Sequence, residues 1–200
     1  NHPCGLPVLG TRDRVGSYRH ADCVDFHAEH YHAGNLTLAA AGNVDHNQLL
    51  TLAKRYFASM KPGKKEHRKL LQPQFSSGLF SQKRDIEQAH IVYGVPWLPL
   101  GSERRYIATV LTTILGGSMS SRLFQEVREK RGLVYSIYAM QAGYQGVGQW
   151  CIYAGTRPSN TQEVMQLIRS ELDAIAQDYV SEDELSRCLL YTSPSPRDTR

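Results

Sequence analysis

No apolar run in this 200-residue sequence approaches the roughly 18 residues that a membrane-spanning helix needs, so no span is predicted. The opening "NHPCGLPVLGT" has no basic start followed by an apolar core, so no secretory leader is visible there and any targeting segment is expected upstream. It has no initiator Met either, and the chain reads as beginning inside a domain. Four cysteines are present, Cys4, Cys23, Cys151 and Cys188, but none forms a C-x-x-C pair, which excludes the thiolate zinc spacings. Charge of one sign is scarce: 23 Lys and Arg against 19 Asp and Glu leave a net +4, so neither nucleic acid nor a membrane surface is called for as partner. The phosphate loop G-x-x-x-x-G-K-[ST] is missing, since Gly116-Gly117-Ser118 closes a helical pattern rather than following a strand. "GYQGVG" is no dinucleotide fingerprint, because the sequence on both sides of it reads as the arms of a hairpin.

What is present is a chain of short, well-punctuated elements. "HADCVDFHAEHYH" carries Val24, Phe26, Ala28 and Tyr31 as a short helix, and "NLTLAAAGNV" reads as a buried strand ended by Gly42-Asn43. Asp45 and Gln48 form a capping box for a helix whose buried stripe is Leu49, Leu52, Ala53, Tyr56 and Phe57. The stretch "KPGKKEHRKLLQPQFSSG" has linker composition, and its basic run reads as a solvated face. From Leu79 a second unit follows. "QAHIVYGVPW" is a strand; Tyr106, Ile107, Val110, Leu111, Ile114 and Leu115 make a helical stripe closed by Gly116-Gly117; "SSRLFQEVREKRG" is a helix stopped at Gly132. "LVYSIYAMQAGYQGVGQWCIYAGT" reads as a β-hairpin with Gly146 and Gly148 in or near its turn. Asn160 and Glu163 cap a last long helix with the stripe Val164, Leu167, Ile168, Leu172 and Ile175. "LTLAAAGNVDHNQLLTLAKRYF" and "WCIYAGTRPSNTQEVMQLIRSEL" echo each other as strand, Ala-Gly, turn, capping box and helix, which predicts two related α+β domains.

Two stretches invite over-reading. "FHAEHYH" places His27, Glu29, His30 and His32 within six positions, the residue types zinc prefers. On a helix turning about 100° per residue, His27 and His30 share a face while Glu29 and His32 point elsewhere. The spacing H-x-E-H is one residue short of H-E-x-x-H, and no P-C-x-x-C follows as zinc deaminases require. The cluster therefore reads as a decoy on an amphipathic helix. At the other end, Ser181 and Glu184 form a capping box that starts a helix, yet "CLLYTSPSPRDTR" interrupts it with two Ser-Pro steps. That string matches the in-frame translation of a common sequencing adapter, so residues 188–200 are set aside as non-native.

The most specific stretch is "LGGSMSSRLFQEVREKRGLVYSI", residues 115–137. With "GLPVLGT", "FHAEHYHAGNLTLAAAGNVDHNQLLTLAKRYF", "QAHIVYGVP" and "IYAGTRPSNTQEVMQLIRSEL" in the same order, it strongly resembles the M16 peptidases, the family of pitrilysin, insulinase and the mitochondrial processing peptidase. The resemblance implies an α+β fold: two related domains of mostly antiparallel sheet with packed helices. Residues 1–62 would be the C-terminal half of a first, zinc-bearing type of domain, incomplete at its N-terminus. Residues 63–78 would be a linker and residues 79–187 a second domain, incomplete at its C-terminus.

The resemblance also implies zinc in the parent protein, held by an H-x-x-E-H helix and a later Glu upstream of this stretch, which itself contains no H-x-x-E-H. The stretch alone is then not expected to hydrolyse peptides. Two functional residues carry over: an Arg and a Tyr seven positions apart, here Arg128 and Tyr135 in "VREKRGLVY", expected to reach the active cleft and bind substrate or transition state. A guanidinium and a phenol are suitable donors for a scissile carbonyl oxygen that is gaining negative charge. The implied partners are a peptide substrate and a second M16 subunit in a homo- or heterodimer. The alternatives to an active endopeptidase are a non-catalytic subunit serving a zinc-bearing one and a structural relative like the core proteins of a respiratory complex.

Overall fold

The computed structural model describes residues 2–64 and 73–192 of the chain, which divide into two compact units at Leu70/Leu71. Of the expected linker 63–78, residues 65–72 lie outside the described residues, as do residues 193–200 of the tail set aside above.

The first unit holds α1 (Arg12–Ser17), α2 (His20–His30) and α3 (His46–Phe57). Local signals set their starts. The Thr11 hydroxyl accepts from the Arg14 N–H at 3.3 Å, and the Asp45 carboxylate accepts from the Gln48 N–H at 2.8 Å. The predicted strand at "NLTLAAAGNV" does not form. Residues 36–41 run without secondary structure, and Leu36 and Leu38 are exposed. A strand needs a partner backbone, and the described residues of this unit contain no other strand to supply one. The α3 stripe is likewise uncovered: Leu52, Tyr56 and Phe57 are exposed, with Leu49 and Ala53 half-buried.

The second unit is built on a three-stranded antiparallel sheet in the order β1-β3-β2, with β1 at Ala89–Trp97, β2 at Val134–Tyr144 and β3 at Val147–Thr156. The hairpin joining β2 and β3 turns tightly at Gln145-Gly146, where Gly146 takes φ +83, a value that favours glycine. Gly148 instead lies in the ladder opposite Gly143 and Trp97, where a Cβ would strike the Leu98 carbonyl oxygen.

One sheet face carries the core. Val134, Ile137 and Ala139 of β2 and Trp150, Ile152 and Ala154 of β3 are buried, with Ile91, Val95 and Trp97 of β1 packed beside them. Helix α4 (Arg105–Thr112) runs into a wider π-turn at Thr113–Gly117, which brings Leu115 into this core. A second π-helical segment, Phe124–Glu129, adds Val127, with Leu123 immediately before it, and α5 (Thr161–Asp178) adds Val164 and Ile168 at the spacing of one helical turn. The Trp150 indole donates to the Thr112 hydroxyl at 3.0 Å, satisfying a polar group inside the core.

One local expectation needs correction. Asn160 sits before α5 but makes no capping hydrogen bond, because a short 3₁₀ turn over Pro158–Asn160 already holds its backbone in a helical conformation. The last helix, α6 (Glu182–Thr192), runs through the buried Cys188 and is described up to the residue before the first Ser-Pro step. Nothing in residues 188–192 obstructs a helix; the first proline of the tail is Pro194.

Candidate functional site

Gly132 is the pivot between the two residues singled out in "VREKRGLVY". It takes φ +62, donates to the Arg128 carbonyl at 2.9 Å and is followed by Leu133 donating to the Val127 carbonyl at 3.1 Å. These two bonds close the Phe124–Glu129 helix in a left-handed glycine cap. The chain then turns back directly into β2. Leu123 and Val127 face the core, so Arg128 is carried on the outside of the helix.

The outer surface of that helix disposes of its charges unevenly. Glu126 pairs with Lys130 and with Arg131, the latter at 2.7 Å, and these cations hold its carboxyl below the usual carboxylate range. Arg128 has no carboxylate partner among the described residues. Its guanidinium lies 4.7 Å over the Phe124 ring, one turn back.

Tyr135 owes its position to a β-bulge. Val134 pairs with Thr156 and Ser136 with Gly155, so Tyr135 is an extra residue with no opposite number on β3. The core confirms the insertion: Val134 and Ile137 are both buried although three positions apart, which regular alternation forbids. Tyr135 is left 75% exposed. The Thr156 hydroxyl, buried beside the bulge, donates to the Leu133 carbonyl at 2.6 Å and pins the start of β2 to the end of β3.

At this end of the sheet lies an open cleft of about 390 Å³. Tyr135 lines it, together with Gln88, Thr156, Arg157 and Asn160 and the Gly132–Val134 backbone. Arg128 does not line it. The structure therefore sets the two residues on consecutive segments across Gly132, but only the tyrosine opens on the cleft. Arg157 and Asn160 escaped the sequence reading, which treated "TRPSN" as turn and cap. The bulge was visible in principle, in two apolar residues at odd separation in "LVYSI".

The histidine cluster is dispersed. His27 stacks on Tyr31 with ring centroids 4.6 Å apart, His30 meets Phe26 edge-on at 4.4 Å, and His32 follows α2 beyond Tyr31. Glu29 lies on α2 and is exposed. Among the described residues, no group of three His, Cys, Asp or Glu side chains could hold a metal ion.

A family model described as the peptidase M16 inactive domain matches residues 19–190. The chain belongs to the M16 peptidase family. Its relatives include an uncharacterized zinc protease of Streptomyces coelicolor, 40% identical over 192 residues, with 92% of this M16 chain and 42% of the relative covered. The uncharacterized zinc protease YmxG of Bacillus subtilis is 34% identical over 185 residues, with 92% of this chain and 45% of YmxG covered. The fold is similar to the M16 inactive domain of Pseudomonas fluorescens, with TM-score 0.83, 24% identity, and coverage of 100% of this chain and 49% of that one. It is also similar to a chain of complex III from Candida albicans, with TM-score 0.73, 22% identity, and coverage of 94% and 46%. The M16 chain thus spans less than half the length of these curated relatives. Among its described residues no helix is long and apolar enough to cross a membrane. The relatives named above are called zinc proteases, but the described residues of this M16 chain do not offer the donor set that zinc needs.

Proposed function

We propose that this chain is the substrate-binding part of a zinc-dependent M16 endopeptidase that cleaves peptides or unfolded segments, with Arg128 and Tyr135 as its working residues. The metal belongs to residues outside this chain, on an H-x-x-E-H helix upstream, and a second M16 subunit completes the enclosure around the peptide. The observation that carries the reading is Tyr135 itself, an exposed phenol held out by a β-bulge at the mouth of a polar cleft. Bulges re-aim side chains at working sites.

In this role the peptide lies across the cleft, and the Tyr135 hydroxyl donates to the scissile carbonyl oxygen as negative charge gathers there. Arg128 joins it by swinging off the Phe124 ring, a contact worth only about 0.5–1 kcal/mol at an exposed position. The Gly132 cap supplies the rigid pivot between the two. In the full-length enzyme, Tyr135→Phe and Arg128→Ala should each lower kcat/KM on an unfolded peptide by about 10²–10³-fold. Stability should move by less than about 0.5 kcal/mol, because both residues are exposed. Full turnover in either variant would remove that residue from the mechanism.

The family description "inactive domain" favours a second reading, a non-catalytic subunit that lends the same two residues to a zinc-bearing partner. An H-x-x-E-H motif encoded in the same polypeptide selects the first reading; its absence, with turnover restored by adding the partner subunit, selects the second.

A further inference from the structure

The cleft beside Tyr135 has a chemistry of its own. Among the described residues that line it, only Arg157 is charged, and none is acidic. Arg157 follows β3 directly and is exposed. Its guanidinium has no hydrogen-bond or ion-pair partner among the described residues, whereas Arg122 and Arg131 of the same unit are each held by a carboxylate. The Asn160 amide oxygen accepts from the Ser159 hydroxyl at 3.0 Å, which leaves its NH₂ available as a donor. Helix α5 begins at Thr161, so its positive N-terminal end adds weakly to the same potential. Gln88, which also lines the cleft, offers a second amide.

We propose that this cleft is a carboxylate subsite of the peptide-binding surface, with Arg157 as a specificity-determining residue. The inference rests on the peptidase reading above and adds a preference to it: a substrate carboxylate near the scissile bond, from a Glu or Asp side chain or from the peptide's own C-terminus. The planar guanidinium grips such a group with two parallel hydrogen bonds, and Asn160 donates a third. Tyr135 lines the same cleft, so the subsite lies next to the bond to be cut.

The test uses the full-length enzyme and quenched fluorescent peptides in matched pairs, Glu against Gln at each position flanking the cleavage point, and free acid against amide at the C-terminus. Wild type should favour the acidic member of one pair by about tenfold in kcat/KM, and which pair responds identifies the source of the carboxylate. Arg157→Gln should bring that ratio to within about twofold of unity, Arg157→Lys should keep part of it, and rising salt should erode it. Melting temperatures of both variants should equal that of wild type, which separates lost selectivity from lost folding. Absence of discrimination in the wild-type enzyme, or its full retention in Arg157→Gln, would overturn the proposal. Should no peptide be turned over, the peptidase reading fails by itself. The same pairs measured by fluorescence anisotropy then decide the subsite: an acid preference abolished in Arg157→Gln supports it, and equal or absent binding overturns it.

Discussion

Glu184 accepts from Nε and Nη2 of Arg122, both at 2.8 Å, while the same Nη2 donates to the Tyr179 carbonyl at 3.0 Å. Tyr179 has φ +62, an unfavourable value for a side-chain-bearing residue, at the junction of α5 and α6. The arginine therefore fixes both the turn and the start of the last helix. These hydrogen bonds hold the Glu184 carboxyl below its ordinary value, against burial, which pushes it up. A depressed carboxylate stabilises the fold at pH above its unfolded value, near 4.5, and that stabilisation is lost as pH falls through the folded value. Glu184→Gln should cost about 1–2 kcal/mol at neutral pH and show a shallower loss of Tm on acidification than wild type. Glu126, also depressed, titrates in both proteins and cancels from the comparison. Parallel Tm–pH curves would show that the pair contributes nothing. The sequence announced only half of this arrangement. The Ser181 hydroxyl does accept from the Glu184 N–H at 3.3 Å, but the carboxylate leaves the capping box for Arg122, 62 residues away in sequence. A bidentate charged bond outweighs a neutral reach-back to the backbone, and periodicity carries no record of it.

Most elements that stand on local chemistry were legible, the Asn160 cap being the exception, whereas features set by pairing register or by a distant partner were not. The caps at Asp45 and Gly132 and the Gly146 turn appear where the residues put them, because each satisfies backbone groups within a few positions. The strand expected at residues 36–41 fails for want of a partner. The bulge that aims Tyr135 depends on register against β3, so the site was legible as residues but not as a shape. Two glycines of the second unit test this distinction at the level of packing. A Cβ on Gly116 would strike the Ala139 backbone nitrogen and stand 2.9 Å from the Ala139 Cβ, where the π-turn meets β2. A Cβ on Gly132 meets nothing within 4 Å, and the obstacle there is only φ +62. Gly132→Ala should therefore cost about 1 kcal/mol and Gly132→Asn less, since Asn tolerates that backbone. Gly116→Ala should cost clearly more, about 2–3 kcal/mol, because two backbones must separate inside the core. Denaturant midpoints decide it, and equal losses for Gly116→Ala and Gly132→Ala would refute the steric account.

At the scale of the whole molecule the two units differ in kind. The second has a continuous core in which Leu123, Val127, Ile152, Ala154 and Val164 are wholly buried. The first has no buried residue among those described: α3 is capped and amphipathic, yet Leu36, Leu38 and Phe57 remain exposed around an apolar groove of about 330 Å³, and Leu52 is exposed as well. Helices without a covered face gain little from tertiary packing, and short isolated helices are marginal in water. The echo between the two halves of the sequence was readable because it consists of local signals. The inequality between them was not, because burial depends on what covers each face. The 200-residue chain on its own should thus show one cooperative thermal transition belonging to the second unit, while the first opens at low cost. Limited trypsin digestion under native conditions should cut within residues 12–55, at Arg12, Arg14, Arg19, Lys54 or Arg55, well before Arg122, Arg128 or Arg169. The dye ANS should bind the intact chain and lose most of its signal once the first unit is digested. Equal protection of the two units, measured by mass spectrometry of the fragments over time, would mean that the first is stabilised by something other than a core of its own.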